Sequence, residues 1–215
     1  MTNENRRVEA ATRLRELGHE FVARDLTNDQ FDDINDRLRG LLELVRAAQP
    51  RERTVPSGAL ANFKMAVPAE GQVERHQLFS DSIVSGGANP MGLGGYLWRE
   101  GDVAVMEVTL GKAFEGAPGR AHGGIVAALI DETMGLVLAI NEQLAFTAQL
   151  DITYVAPTPI NEPILARAWL KEQDGRKLSI EATVEAGTTL IAKAKALFIA
   201  GDPTKFLKYL SVLDQ

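Results

Sequence analysis

Asp131 and Glu132 stand in the middle of an apolar run, GIVAALIDETMGLVLAI, that opens on His122, Gly123 and Gly124. A carboxylate among such neighbours is costly to bury unless it has partners or a task. At the helical period Ile125, Val126, Leu129, Ile130, Met134, Val137 and Leu138 spread round the cylinder, and Gly124, Ala127, Ala128 and Gly135 fill the rest with small residues. The spacing predicts a helix within 116–140 that is buried nearly all round, its small face admitting the close approach of a curled sheet. Pro118, Gly119, Gly123 and Gly124 permit a tight turn into it. The unpaired N–H groups at such a start lie at the positive end of the helix dipole and can polarise a carbonyl. The plainer alternative is that Asp131 or Glu132 reaches solvent or a salt bridge. Gly123 and Asp131 are eight residues apart, roughly 12 Å along a helix rising about 1.5 Å per residue. That is too far to act on one carbonyl, so joint chemistry calls for two copies of the chain with antiparallel helices.

The elements that must position these residues follow the helix and precede it. Leu93–Trp98 and Val103–Leu110 flank Glu100-Gly101-Asp102 as a hairpin. After the helix come strands at Phe146–Val155, Ile164–Gln173, Lys177–Glu185 and Leu190–Ala200, with Asp174-Gly175 and Gly187 as turns. In the first of these, Phe146, Ala148, Leu150, Ile152 and Tyr154 fall on one face and Thr147, Gln149, Asp151 and Thr153 on the other. The pattern is α+β, one helix against half-buried antiparallel strands.

Residues 1–48 read as a helical extension. Val8, Ala11, Leu14 and Leu17 stop before Gly18, giving a short first helix. Thr27 and Gln30 form a capping box for a second, whose stripe of Phe31, Ile34, Leu38, Leu41, Leu42 and Val45 needs the main domain or a partner subunit to cover it. Residues 49–88, rich in Pro and Gly, read as a connector or lid with a short element at Leu78–Val84, and 202–215 as a short capped helix.

Composition excludes several function classes. The 215 residues carry a net charge of −6, and the first 50 hold eight Lys and Arg against ten Asp and Glu, which argues against a nucleic-acid partner. There is no cysteine and only three histidines, so thiolate chemistry is absent and neither metal nor redox cofactor is expected. Asp131 and Glu132 interrupt the longest apolar run and the N-terminus has no apolar core, so the expectation is a cytoplasmic chain without membrane insertion. No phosphate loop, dinucleotide fingerprint or Ser-His-Asp constellation is present. His19 and His76 lack motif context and read as surface residues, and Trp98 and Trp169 read as core or interface.

His122, Gly123, Gly124 and Asp131 resemble the H-G-G-x(6)-D motif of hotdog-fold acyl-CoA thioesterases of the phenylacetyl-CoA thioesterase type. FEGAPGRAHGG, IDET, AFTAQLDITY and DGRKLSIEA extend the similarity to the human thioesterase superfamily member subgroup, over residues 89–201. The resemblance implies a hotdog fold, a long central helix wrapped by a curved antiparallel sheet, in a homodimer or dimer of dimers. It implies acyl-CoA hydrolysis, with long fatty acyl chains the subgroup's preference. Asp131 would be general base or nucleophile, Gly123 N–H would hold the carbonyl oxygen, and His122 would order the site, its alternative being a residue that bonds the turn. Thr147 matches the threonine that assists the carboxylate, and Asn89 stands where relatives place an asparagine near the histidine; a strand threonine and a turn asparagine are the alternatives. Gly124, Arg176 and Lys177 would meet substrate and coenzyme A, although a basic hairpin also serves solubility. The rival from another class is a non-catalytic acyl-CoA sensor on the same fold.

Overall fold

The computed structural model describes residues 2–51, 68–73 and 80–201. Two helices, α1 (Asn3–Ala23) and α2 (Asn28–Arg46), precede the hairpin β1 (Tyr96–Glu100) and β2 (Val103–Thr109). A 3-10 turn at Lys112–Phe114 and a minor hairpin, β3 (Glu115–Ala117) and β4 (Arg120–Ala121), lead into α3 (Gly123–Ile140). Four strands follow: β5 (Ala145–Tyr154), β6 (Pro163–Asp174), β7 (Lys177–Ala186) and β8 (Thr189–Ala200). The main sheet is six-stranded and antiparallel throughout, in the order β1-β2-β6-β7-β8-β5, which makes β1 and β5 its edges.

The sheet is polar on one side and apolar on the other because its strands alternate. In β7, Leu178, Ile180, Ala182 and Val184 are buried while Lys177 is exposed and Ser179, Glu181 and Thr183 are half-buried. Val126, Leu129, Ile130, Met134 and Val137 of α3 are wholly buried in one cluster with Met106, Ile164, Leu178 and Ile180. Burying each such side chain contributes about 1.5–3 kcal/mol, so the helix–sheet layer is what holds the fold. Alanines at 104, 166, 168, 182, 192, 194 and 196 line the inner sheet face and leave room for the bulkier helix residues. α3 is long and apolar enough, by length and composition alone, to cross a membrane, yet it is the helix on which this sheet packs.

Three expectations are corrected. α3 is not buried all round: Gly124 is exposed and Ala127, Ala128, Asp131 and Gly135 are half-buried, and a Cβ added at Gly135 would meet nothing within 4 Å. The large residues face the sheet and the small stripe faces away. α1 does not stop before Gly18 but runs to Ala23. The two faces of β5 do not simply alternate, because a register shift between Thr147 and Gln149 changes the phase. Thr147 is opposite Phe198 and Leu150 opposite Ala196, so both project to the helix side.

The Thr27–Gln30 capping box of α2 is present in both directions. None of α2 is buried; Phe31, Leu38, Leu41, Leu42 and Val45 are exposed, and Phe31 meets Phe21 of α1 edge-on at 6.1 Å. Trp98 and Trp169 are half-buried, with Trp98 Nε1 donating to Glu100. The expected element at Leu78–Val84 shows turns over its described part, residues 80–84, where Val84 is buried. His76 and the expected C-terminal helix lie outside the described residues.

Candidate active site

The approach to α3 is a tightly bonded turn. Gly119 takes φ +75°, and the Glu115 carboxylate accepts its N–H together with Lys112 Nζ at 3.0 Å. Those two donors, Gly119 foremost, hold the Glu115 carboxyl below its ordinary range. A Cβ at Gly116 would lie 2.8 Å from His122 Cα, so only glycine lets the hairpin pass this close.

His122 is the N-cap of α3. Its backbone N–H donates to Phe114 O at 2.9 Å, and its Nδ1 accepts the Gly124 N–H at 3.0 Å. That bond assigns the ring proton of the neutral imidazole to Nε2. His122 thus does bond the turn, which leaves its Nδ1 engaged. It also removes Gly124 N–H from the pool of free helix-start donors. Gly123 N–H has no acceptor among the described residues. It is therefore the donor that can meet a ligand oxygen, at the positive end of an 18-residue helix.

Two turns further on, Asp131 sits on the open small-residue stripe with Gly124, Ala128 and Gly135. Thr147 Oγ1 donates to its Oδ1 at 2.9 Å, leaving the other oxygen for chemistry. This contact exists because of the β5 bulge, which turns Thr147 toward the helix. Glu132 points elsewhere and accepts from the hydroxyls of Ser82, at 2.7 Å, and wholly buried Ser85. The two carboxylates of the run thus divide their roles, one open and one locked into the 80–88 loop.

Asn89 spends its side chain on its own loop, Nδ2 donating to Asp81 O at 3.1 Å and Oδ1 accepting Met91 N–H at 2.8 Å. Arg176 and Lys177 are exposed on the β6–β7 hairpin, and Arg176 Nε donates to Ala200 O at 2.8 Å. Lys177 is opposite Ile199, which is opposite Phe146, so this hairpin lies at the same end of the sheet as Thr147. Sequence reasoning missed Tyr154, whose hydroxyl donates to Gly123 O at 2.7 Å and whose phenol burial pushes above its ordinary value. Its strand period gave no hint, because the contact depends on how β5 crosses the start of α3. Among the described residues no cluster of His, Asp and Glu has the makings of a metal site.

One long helix on a six-stranded antiparallel sheet, opening on His-Gly-Gly and carrying a bonded aspartate eight residues on, defines a hotdog domain. The chain belongs to the thioesterase superfamily, whose family model matches residues 118–192. It is 34% identical over 166 residues to mouse acyl-coenzyme A thioesterase THEM4, covering 73% of this chain and 70% of that one. The rat protein of the same name is 38% identical over 97 residues, covering 44% of this chain and 42% of its own. A crystallised thioesterase superfamily protein superposes with a TM-score of 0.74 at 23% identity, covering 90% of both chains. That last likeness extends the shared fold beyond the matched domain.

Proposed function

We propose that this protein hydrolyses an acyl-CoA thioester to a free acid and coenzyme A, in a site shared between two copies of α3. The observation that carries the reading is Asp131, held by Thr147 on the open face of α3, one side of a helix whose start presents the unbonded Gly123 N–H. At roughly 12 Å along one axis the two groups cannot meet on one carbonyl, whereas antiparallel helices bring Gly123 of one protomer beside the partner's Asp131.

A thioester carbonyl is already reactive. Its hydrolysis needs the oxygen polarised and a nucleophile aimed. Gly123 N–H takes the developing oxyanion, and Asp131 either draws a proton from the attacking water or itself attacks to form a mixed anhydride. In both routes the tetrahedral centre collapses by breaking the C–S bond, and the coenzyme A thiolate leaves and takes up a proton. In the nucleophile route water then cleaves the anhydride, releasing the acid and regenerating Asp131; label found in Asp131 after a single turnover in heavy-oxygen water identifies that route, since only opening of the anhydride at the Asp131 carbonyl puts it there. The small stripe beside Asp131, with open space at Gly135, gives an acyl chain room and favours a long fatty acyl group. Arg176 and Lys177, at the Thr147 end of the sheet, suit the coenzyme A phosphates.

The test is free-thiol release from short, long and aromatic acyl-CoAs, with Asp131→Asn beside the wild type. Turnover that the variant loses by about two orders of magnitude or more is expected for a positioned base. Mixing Asp131→Asn with Gly123→Pro, each inactive alone, should restore about a quarter of the sites in random dimers if the site is shared. Absence of wild-type turnover, with acyl-CoA still raising the melting temperature, would replace the enzyme by a sensor.

A further inference from the structure

The 3-10 turn at Lys112–Phe114 lacks a cap of its own. Its N-cap position is Gly111, and no side chain there accepts the orphan N–H groups of the turn. The acceptor comes from α1 instead: His19 Nδ1 takes the N–H of Ala113 at 3.1 Å, across 94 residues of sequence. The same ring packs edge-on against Phe114, with centroids 5.1 Å apart. A Cβ on Gly111 would lie 2.6 Å from His19 Nδ1, so the imidazole occupies the place a capping side chain would need. Phe114 O in turn accepts the backbone N–H of His122, the N-cap of α3.

One turn earlier on the same face of α1, Arg15 Nη1 donates to Gly87 O at 3.1 Å and Asn89 O at 2.5 Å. Thr12 Oγ1 braces it by accepting from Arg15 Nη2 at 2.9 Å. That loop is the one that sends Ser82 and Ser85 to Glu132 beside the reactive carboxylate. α1 therefore ties together the two segments that flank α3, although it lies outside the span 118–192 that the family model matches.

We propose that α1 is a strap on the catalytic turn, with His19 as a positioning residue that caps the 111–114 turn from a distance and thereby aims Gly123 N–H. Arg15 anchors the other end of the strap. The bond to Ala113 requires His19 neutral, and burial, followed by Arg15, does hold its imidazole below the ordinary value. His19, expected at the surface, is instead bonded to Ala113 and packed on Phe114.

The catalytic part of this inference rests on the proposed hydrolysis, and the test keeps the two apart. In full-length protein, His19→Phe keeps the ring and deletes the acceptor, His19→Asn restores an acceptor at the Nδ1 position, and Gly111→Ala dislodges an intact His19. Because a misplacement near 1 Å can cost about two orders of magnitude, His19→Phe and Gly111→Ala should lower kcat by about tenfold or more. KM should stay within about twofold, since the aimed donor acts mainly on the transition state. His19→Asn should recover most of the rate. Amide exchange at Ala113 and His122 should rise in the first two variants and return in the third. Wild-type kcat in His19→Phe, or equal loss in His19→Asn, would overturn the strap, as would unchanged exchange at Ala113. If the wild type turns over no thioester, the hydrolase reading falls while the exchange comparison still decides the strap.

Discussion

Gly123→Pro removes a single N–H from the site at a position where a helix accepts proline. Proline is favoured at the first helical residue, where the missing N–H has no intrahelical partner. It also requires an extended residue before it, and His122 has φ −65° and ψ 134°. The added Cβ would sit 3.4 Å from Tyr154 Oη, an ordinary contact. Stability should hold or rise by about 0.4–1 kcal/mol through the stiffer unfolded chain. Catalysis should not hold. Gly124 N–H is committed to His122 Nδ1, so no second helix-start donor replaces the lost one. Losing a lone oxyanion donor costs about 2.7–4 kcal/mol in the transition state, or about 10²–10³ in kcat. The assay is steady-state thiol release with the best acyl-CoA, beside a thermal melt. Gly123→Ala, which keeps the N–H and adds the same Cβ, is the control and should stay close to wild type. A proline variant within about threefold of wild-type kcat would refute the assignment of Gly123 as the carbonyl-polarising donor.

Further outcomes follow from single contacts. Thr147→Val keeps the shape and removes the bond that orients Asp131, so kcat should fall about tenfold or more, while the melting temperature should change little because the bond is exposed to water. Retention of the wild-type rate would detach Thr147 from Asp131. Glu132→Ala strands the buried Ser85 hydroxyl and should cost about 1–3 kcal/mol, several degrees in Tm by calorimetry. A melt identical to wild type would contradict the locked-loop role. For His19 the sign is fixed by its lowered pKa: the unfolded chain holds the proton more tightly, so its contribution is complete above the ordinary 6.5 and is lost as pH falls through the lower folded value. Arg15 and Glu20 act on it with opposite sign, and Lys112 and Glu115 on the facing turn pair with each other. Protection of the Ala113 amide should hold above the ordinary 6.5 and fall as the pH drops below it in the wild type, and stay flat in His19→Asn; equal pH dependence in both would discount the imidazole.

The sequence determined whatever depends on local period and local chemistry. The apolar run with its two carboxylates, the His-Gly-Gly opening, the alternation of β6, β7 and β8 and the Thr27–Gln30 capping box are each written within about a dozen residues. Such patterns survive folding because the tertiary structure agrees with them. The pairing of Thr147 with Asp131 was drawn from family likeness; its geometric cause, the bulge, is invisible to a strict two-residue period.

Tertiary structure decided the rest. Period alone could not say which side of α3 stays open, since that depends on which residues the sheet takes. Gly18 looked like a helix stop, because glycine in a helix costs about 1 kcal/mol relative to alanine. Bonds from Arg15 and His19 to segments 72 to 94 residues away anchor α1 on the main domain, and the helix runs through that glycine. Tyr154 reaches Gly123, and Ser82 and Ser85 reach Glu132, by the same kind of long-range contact. These partners have no local signature, because chain closure brings them together and neither residue type announces the other.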